Sequence, residues 1–125
     1  MASEPASVEI VTSMEDNLKK ATTEMILLYL LSEKDCYIAE LTESLNKRSN
    51  GAFQVVFPYG AIYRLLENGC VYEKEKRNAP DGRRRQFFSI TDKGREYLKR
   101  LLLTYHVFFD GLQSVLFGEG TEHAQ

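Results

Sequence analysis

Apolar residues recur along this chain at two different spacings, and the change between them divides the sequence into helices and a hairpin. The segment "EMILLYLL" is apolar nearly all round, which predicts a buried helix with Thr22 or Thr23 as its N-cap. A separate, short amphipathic helix is predicted before it by four apolar residues at helical spacing, namely Ile10, Val11, Met14 and Leu18. The folded part should therefore begin near residue 10, after a loose end over residues 1–9.

Two further helices are predicted after a tight polar turn at residues 32–35. In "YIAELTESLNKR" the apolar residues share one face, and Asn50-Gly51 beyond them is the usual chemistry of a helix C-terminus. The stretch "VVFPYGAIYRLLENGC" begins extended, and Pro58 then suits the first turn of a short third helix that Gly69 ends. The core-facing residues of this third helix should be Ile62, Leu65 and Leu66, and its outward-facing residues Tyr59, Tyr63 and Arg64.

After the third helix the pattern is typical of strands. "CVYEKEKR" and "RRRQFFSIT" are rich in aromatic and β-branched residues, and "NAPDG" between them contains Pro, Asp and Gly, which are the residues of a tight turn. These features predict a β-hairpin.

The last element is the most periodic part of the chain and predicts a long helix over Asp92–Phe117, with Thr91 as its N-cap. Its apolar surface is wider than one stripe, because Leu103, Val107 and Val115 lie beside the main series. A small domain cannot cover so wide a face, so a second copy of the chain is the simplest cover and a homodimer is expected. The predicted dimerisation residues are Leu98, Leu101, Leu102, Tyr105, Phe108, Phe109, Leu112 and Leu116.

Charge is distributed unevenly along the sequence. The chain of 125 residues has a net charge of −2, yet residues 73–85 contain six basic side chains against three acidic ones. Lys and Arg that neutralise DNA phosphates gain affinity through counterion release, so a basic hairpin favours contact with double-stranded DNA. The alternative is a solvated strand edge whose charges prevent aggregation, with Glu73 and Glu75 pairing with basic neighbours. The hairpin candidates for DNA binding are Lys76, Arg77, Arg83, Arg84 and Arg85.

Other classes of function find little support in the residues. No paired-carboxylate, nucleophile-base or phosphate-cradling set is present, so an enzyme is not expected. Cys36, Cys70 and His106 match no metal-ligand spacing, and we expect no metal, no cofactor and no disulfide. No apolar run reaches the ~18 residues of a membrane span, and no secretory signal is apparent, which predicts a cytoplasmic protein without membrane contact.

The order helix, helix, short helix, hairpin, long helix predicts a mainly α fold with a β-hairpin. This is a winged helix-turn-helix with a leading N-terminal helix and an appended C-terminal dimerisation helix. The predicted division is a flexible N-terminus at 1–9, a winged DNA-binding domain at 10–91, the dimerisation helix at 92–117 and a flexible tail at 118–125.

Residues 24–102 contain, in this order, the segments "MILLYLL", "YIAELTESL", "GAIYRLLENGCV", the basic hairpin and "FFSITDKGREYL". In these segments the sequence resembles the PadR family of bacterial transcriptional regulators, in its shorter form. The chain departs from the family pattern at Ala61, where Thr is common, and at Cys36, where Gly is common. Its third helix is also shorter by about four residues, close to one turn.

The resemblance implies a regulator that binds a pseudo-palindromic operator, favours a repressor released by a small molecule, and makes a small aromatic compound a candidate effector. It also implies that Tyr63, Arg83 and Arg84 approach the DNA backbone. From the residues alone, Arg64 is the candidate reader of base edges on the short helix, and Tyr59 and Tyr63 are better suited to contact phosphate or sugar. Lys47 and Arg48 are weaker candidates for DNA contact. The alternative is a protein–protein adaptor that uses the winged domain without binding DNA, in keeping with the net acidity of the chain.

Overall fold

Four helices and a three-stranded antiparallel sheet form the computed structural model, which describes residues 4–54 and 58–118, with side chains from residue 12 onward. The predicted mainly α winged-helix fold is confirmed. The elements in chain order are α1 (Glu4–Glu33), β1 (Cys36–Tyr37), α2 (Ile38–Arg48), α3 (Tyr59–Glu67), β2 (Val71–Asn78), β3 (Arg84–Ile90) and α4 (Asp92–Phe117).

The first helix differs from the sequence-based prediction. A single helix of 30 residues, Glu4–Glu33, replaces the predicted pair, so it also includes residues 4–9. The hydroxyls of Thr22 and Thr23 donate to the carbonyls of Leu18 and Lys19, one turn earlier, and do not cap a new helix. The prediction of a break was wrong because a Thr that bonds back to the preceding turn is compatible with a continuous helix.

The second difference is strand β1, which the sequence did not reveal. Cys36 pairs with Phe88 and Tyr37 with Phe87, so β3 is the central strand in the order β1-β3-β2. A strand of two residues is too short to produce a recognisable alternation of polar and apolar positions.

Helices α2 and α3 agree with the prediction. The chain leaves α2 through Asn50 and Gly51, whose φ angles of 56° and 82° lie in the left-handed region. Pro58 is the residue immediately before α3, and Gly69, at φ 74°, follows its end. The segment 55–57, predicted to be extended, lies outside the described residues, as does the predicted tail apart from Gly118.

The core is formed mainly by the C-terminal half of α1, which packs against α2, α3 and the sheet. Leu27, Leu28, Leu41, Ile62 and Leu65 have no measurable exposure. Helix α4 contributes Leu98 to this core and only partly buries Leu101. The core therefore positions α3 and the hairpin, whereas most of α4 extends past it.

The first turn of α4 meets the end of β3 and the chain that connects α3 to β2. The Thr91 hydroxyl accepts a hydrogen bond from the Gly94 amide (2.9 Å), which confirms the predicted N-cap, and donates to the Gly69 carbonyl (2.6 Å). The Thr91 amide donates to the carbonyl of Cys70 at 3.0 Å. A Cβ at Gly94 would lie 2.1 Å from the Cys70 carbonyl oxygen and 2.8 Å from a side-chain carbon of Ile90. The first turn of α4 can approach the chain between α3 and β2 this closely only because residue 94 is glycine.

We expect Gly94→Ala to lower the free energy of unfolding by ~1–3 kcal/mol, since the added methyl group would force the backbone of α4 away from Cys70. Urea unfolding followed by circular dichroism measures this change. Gly60→Ala is the matched control, because a Cβ at Gly60 in α3 would come no closer than 3.7 Å to another group. Equal stability of the two variants would contradict the prediction.

Candidate nucleic-acid interface

Helix α3 has a buried face and an exposed face that bears two tyrosines. Ile62 and Leu65 are fully buried, while Tyr63 is 59% exposed. Tyr59 lies one turn before Tyr63 and is also exposed, with the two ring centroids 6.5 Å apart. The predicted inward and outward residues of α3 are thus on the faces that the sequence predicted, and both tyrosine side chains are exposed on the outward face.

A groove of about 560 Å³ separates α3 from the hairpin and the start of α2. Tyr59 and Tyr63 form part of one wall, and Phe88 and Gln86 of β3 lie on the other side. Glu43 of α2 and Glu73 of β2 also line the groove and bring negative charge to it. Helix α3 and the hairpin are therefore adjacent parts of one surface, whose charge is mixed in the groove and basic towards the hairpin tip.

Two of the five predicted hairpin cations are engaged with side chains of the protein. The guanidinium carbon of Arg77 lies 3.9 Å from the centre of the Phe87 ring. That of Arg85 lies 5.1 Å from the ring centre of Tyr37, which itself packs edge-on against Phe87 at 5.3 Å. Cation–π contacts of this kind hold the arginine side chains against the sheet. Arg77 and Arg85 therefore have a structural role in the hairpin.

The hairpin turn is organised by one carboxylate. Asp81 accepts a hydrogen bond from the Arg83 amide at 3.0 Å through Oδ1 and from the Arg85 guanidinium at 2.7 Å through Oδ2. The hydrogen bond from Arg85 lowers the pKa of the Asp81 carboxyl. Gly82, at φ 84°, takes the left-handed position of the turn. The turn that "NAPDG" predicted is confirmed, with Asp81 also neutralising Arg85.

The other three hairpin cations, Lys76, Arg83 and Arg84, form no ion pair within residues 4–54 and 58–118. Glu73 and Glu75 do not neutralise them. The acidic partners of the hairpin are Asp81 and also Asp35, whose carboxylate lies 3.2 Å from Nζ of Lys74. Three cations without a counterion in the described structure therefore lie at and near the hairpin tip.

Arg64 is tied to helix α1. Its Nε lies 2.7 Å from a carboxylate oxygen of Glu24, although the Arg64 side chain is still 57% exposed. Arg48, a weaker candidate from the sequence, is bound in a similar way by Glu33, with contacts of 2.6 and 3.2 Å. Sequence reasoning missed both carboxylates, because each lies far from its arginine along the chain.

The second half of α4 exposes large apolar side chains on all sides. Among the predicted dimerisation residues, Leu102, Tyr105, Phe108, Phe109, Leu112 and Leu116 are all exposed. Leu98 is only 7% exposed and belongs to the core of its own domain, with Leu101 partly buried beside it. Leu98 is therefore a core residue and does not lie on the predicted dimer surface, because the N-terminal half of α4 packs against α1.

Neither cysteine has the surroundings of a reactive or metal-binding thiol. Both are buried, and burial raises the pKa of the Cys36 thiol to about 12. Among the residues that the structure describes, no three His, Cys, Asp or Glu side chains come together to hold a metal ion. No helix in the same part of the chain is long and apolar enough to span a membrane.

Comparison with known proteins identifies relatives of this chain. The model of the PadR-like family of transcriptional regulators matches residues 27–100. An uncharacterised protein of Lysinibacillus sphaericus is 30% identical over an alignment of 98 residues that covers 72% of this chain and 90% of that protein. A PadR family transcriptional regulator from Eggerthella lenta is 28% identical, with a TM-score of 0.74 over 96% of both chains. A PadR-like regulator from Bacillus cereus, 24% identical, has the same fold, with a TM-score of 0.70 over 82% of this chain and 98% of its own.

We expect Arg77→Ala to lower the free energy of unfolding by about 1 kcal/mol, because the guanidinium would no longer cover the Phe87 ring. Arg84→Ala is the control and should change stability by less than ~0.5 kcal/mol, since Arg84 forms no ion pair in the described structure. Thermal unfolding of both variants measures the difference. Equal melting temperatures would show that the stacking of Arg77 contributes nothing to the hairpin.

Proposed function

This chain belongs to the PadR-like family of transcriptional regulators, and from that premise we propose that it is a repressor that binds a pseudo-palindromic operator as a homodimer. The family establishes a DNA-binding regulator that is not an enzyme. We also propose that a small aromatic effector releases the repressor from DNA. The proposed location is the cytoplasm, where the chromosome lies.

The observation that carries the proposal is the group of unpaired cations at the hairpin tip, beside the exposed face of α3. Lys76, Arg83 and Arg84 have no carboxylate partner in the described structure, so their charge is available to DNA phosphates. Tyr59 and Tyr63 lie on the neighbouring helix with hydroxyls suited to phosphate or sugar oxygens. Arg77 and Arg85 support these contacts by holding the hairpin in place.

Sequence specificity requires a side chain that reaches base edges in the major groove. Arg64 is the single basic residue of α3, and arginine reads guanine through paired contacts to O6 and N7. We therefore assign base reading to Arg64, with the backbone contacts of the hairpin setting the register of the protein on the duplex.

Dimerisation is supported by the exposed second half of α4. Phe108 is 67% exposed, and Leu112 and Leu116 are exposed on the same helix. A contiguous apolar surface of this kind in a DNA-binding protein is suited to a second copy of the chain, and a two-fold dimer would match a pseudo-palindromic operator. The ring centroids of Tyr105 and Phe109 lie 5.8 Å apart with their planes 11° apart, and both rings are exposed. A flat aromatic effector would bind against such rings between paired α4 helices.

The second candidate function is an adaptor that binds an acidic protein through the same cations. A duplex that also contacts α3 would bring its phosphates near Glu43 and Glu73 in the groove, whereas an acidic protein bound only at the hairpin cations would avoid their negative charge. The salt dependence of binding separates the two functions. A protein that contacts several phosphates loses affinity steeply with salt, with a slope of about −0.9 per phosphate on a double-logarithmic plot.

We expect Arg83→Ala and Arg84→Ala to weaken binding to the chain's own upstream region and to random duplex by the same factor. Each variant should also reduce the salt slope by about 1, since the hairpin tip contacts phosphates and not bases. Fluorescence anisotropy at low and near-physiological salt measures both quantities. Arg95→Ala, at an exposed position of α4, is the control and should bind as the wild type does. An absence of binding by the wild type to either duplex at low salt would favour the adaptor.

We expect the wild-type protein to scatter light as a particle of twice the 14.4 kDa chain mass at micromolar concentration. Phe108→Glu should shift the particle to the single-chain mass without lowering the stability of the winged domain, because Phe108 lies outside the core. Tyr72→Glu places the same charge at an exposed aromatic position of β2 and should leave the dimer intact. A wild-type particle of single-chain mass would overturn this part of the proposal.

A further inference from the structure

The carboxylate of Glu24 in α1 contacts two other helices at once. Its Oε2 accepts a charge-assisted hydrogen bond from Nε of Arg64 in α3 at 2.7 Å. Its Oε1 accepts a hydrogen bond from the Tyr97 hydroxyl of α4 at 3.2 Å. The Glu24 side chain is only 22% exposed, so this contact is shielded from solvent more than an ordinary surface ion pair.

Tyr97 fixes the carboxylate from the side of α4. The Tyr97 ring packs against the core next to Leu98, and the Arg100 guanidinium lies 5.9 Å from the ring centre. Burial and the nearby Glu24 charge raise the pKa of Tyr97, so its hydroxyl keeps the proton that it donates. One oxygen of Glu24 is thereby held by a side chain anchored in the core, and the other is directed at α3.

The contact with Glu24 leaves part of the Arg64 guanidinium available. Glu24 binds Nε, so the edge formed by Nη1 and Nη2 can still contact another acceptor. A Cβ at Gly60 would lie 3.7 Å from Nη1 of Arg64, which places this edge beside the first turn of α3. In helix-turn-helix proteins the first turn of the recognition helix is the part that reaches base edges.

We propose that Glu24 is a positioning residue for base reading, which holds Nε of Arg64 so that the Nη edge is presented to a guanine. The inference rests on the proposed DNA-reading role of Arg64. A long arginine side chain loses conformational freedom when it binds, and a carboxylate that fixes it beforehand reduces that loss. Tyr97 in turn orients Glu24, so a residue of α4 contributes to the specificity of α3.

The test is the ratio of affinities for two duplexes, one enriched from a random pool by the wild-type protein and one of scrambled sequence. Glu24→Gln should lower this ratio about tenfold, because the amide lacks the carboxylate charge that holds Nε of Arg64 and is a weaker acceptor. Affinity for the scrambled duplex should stay the same or rise, since a negative charge has been removed near DNA. In an Arg64→Ala background, Glu24→Gln should lower the ratio no further.

Two variants control for charge and for folding. Glu33→Gln removes the same charge from α1 and breaks the comparable pair with Arg48, yet it should leave the ratio within about twofold of the wild type. Tyr97→Phe keeps the Glu24 charge and removes only the hydroxyl, and it should lower the ratio about threefold. This second variant also keeps the proposal testable if Glu24→Gln does not fold.

A readout on the DNA itself identifies the contact. Replacing the guanine that Arg64 reads by 7-deazaguanine removes the N7 acceptor and should weaken wild-type binding about tenfold, but should not affect Arg64→Ala. Glu24→Gln should respond to the replacement less than the wild type does. An unchanged or raised affinity ratio in Glu24→Gln, while Arg64→Ala lowers it, would overturn the positioning role. If the wild type enriches no sequence at all, the proposed sequence-specific function fails and the positioning role fails with it.

Discussion

The close contact between the first turn of α4 and the carbonyl of Cys70 fixes the relative positions of the parts of this protein. Cys70 follows the end of α3 and precedes β2, so a helix held against it is held against both α3 and the hairpin. Thr91 strengthens the junction by capping α4 and bonding to Gly69. The core positions α3 and the hairpin, and this junction in addition fixes the first turn of α4 against the chain that connects them.

The basic side chains of the hairpin fall into two groups, which differ in their contacts with the rest of the protein. Arg77 and Arg85 lie against the rings of Phe87 and Tyr37, and Asp81 neutralises Arg85. Lys76 and Arg84 are strand residues as well, but neither forms an ion pair in the described structure. In the proposed function, the first pair holds the hairpin in place so that the second group meets phosphates at fixed positions. Rigid presentation of charge reduces the entropy that binding must overcome.

The sequence predicted the elements that arise from local chemistry. The spacing of apolar residues located α2, α3 and α4, and the turn residues of "NAPDG" located the hairpin, because periodicity and turn chemistry depend on near neighbours. The prediction of α1 was wrong at Thr22 and Thr23, because a threonine hydroxyl can either cap a helix or donate to a carbonyl of the preceding turn inside a continuous helix. Strand β1 was not predicted, because its two residues form a strand only through pairing with β3.

The amino-acid sequence by itself determined the order of the elements, the winged-helix fold class, the concentration of positive charge in the hairpin and the excess apolar surface of α4. The tertiary structure decided which side chains are engaged. Leu98 lies in the core of its own domain. Arg77 and Arg85 lie against aromatic rings of the sheet and support the hairpin. Arg64 forms an ion pair with Glu24. The physical reason is separation along the chain. Glu24 lies forty residues from Arg64 and more than seventy from Tyr97, and no local pattern reports a contact that exists only when three helices pack together.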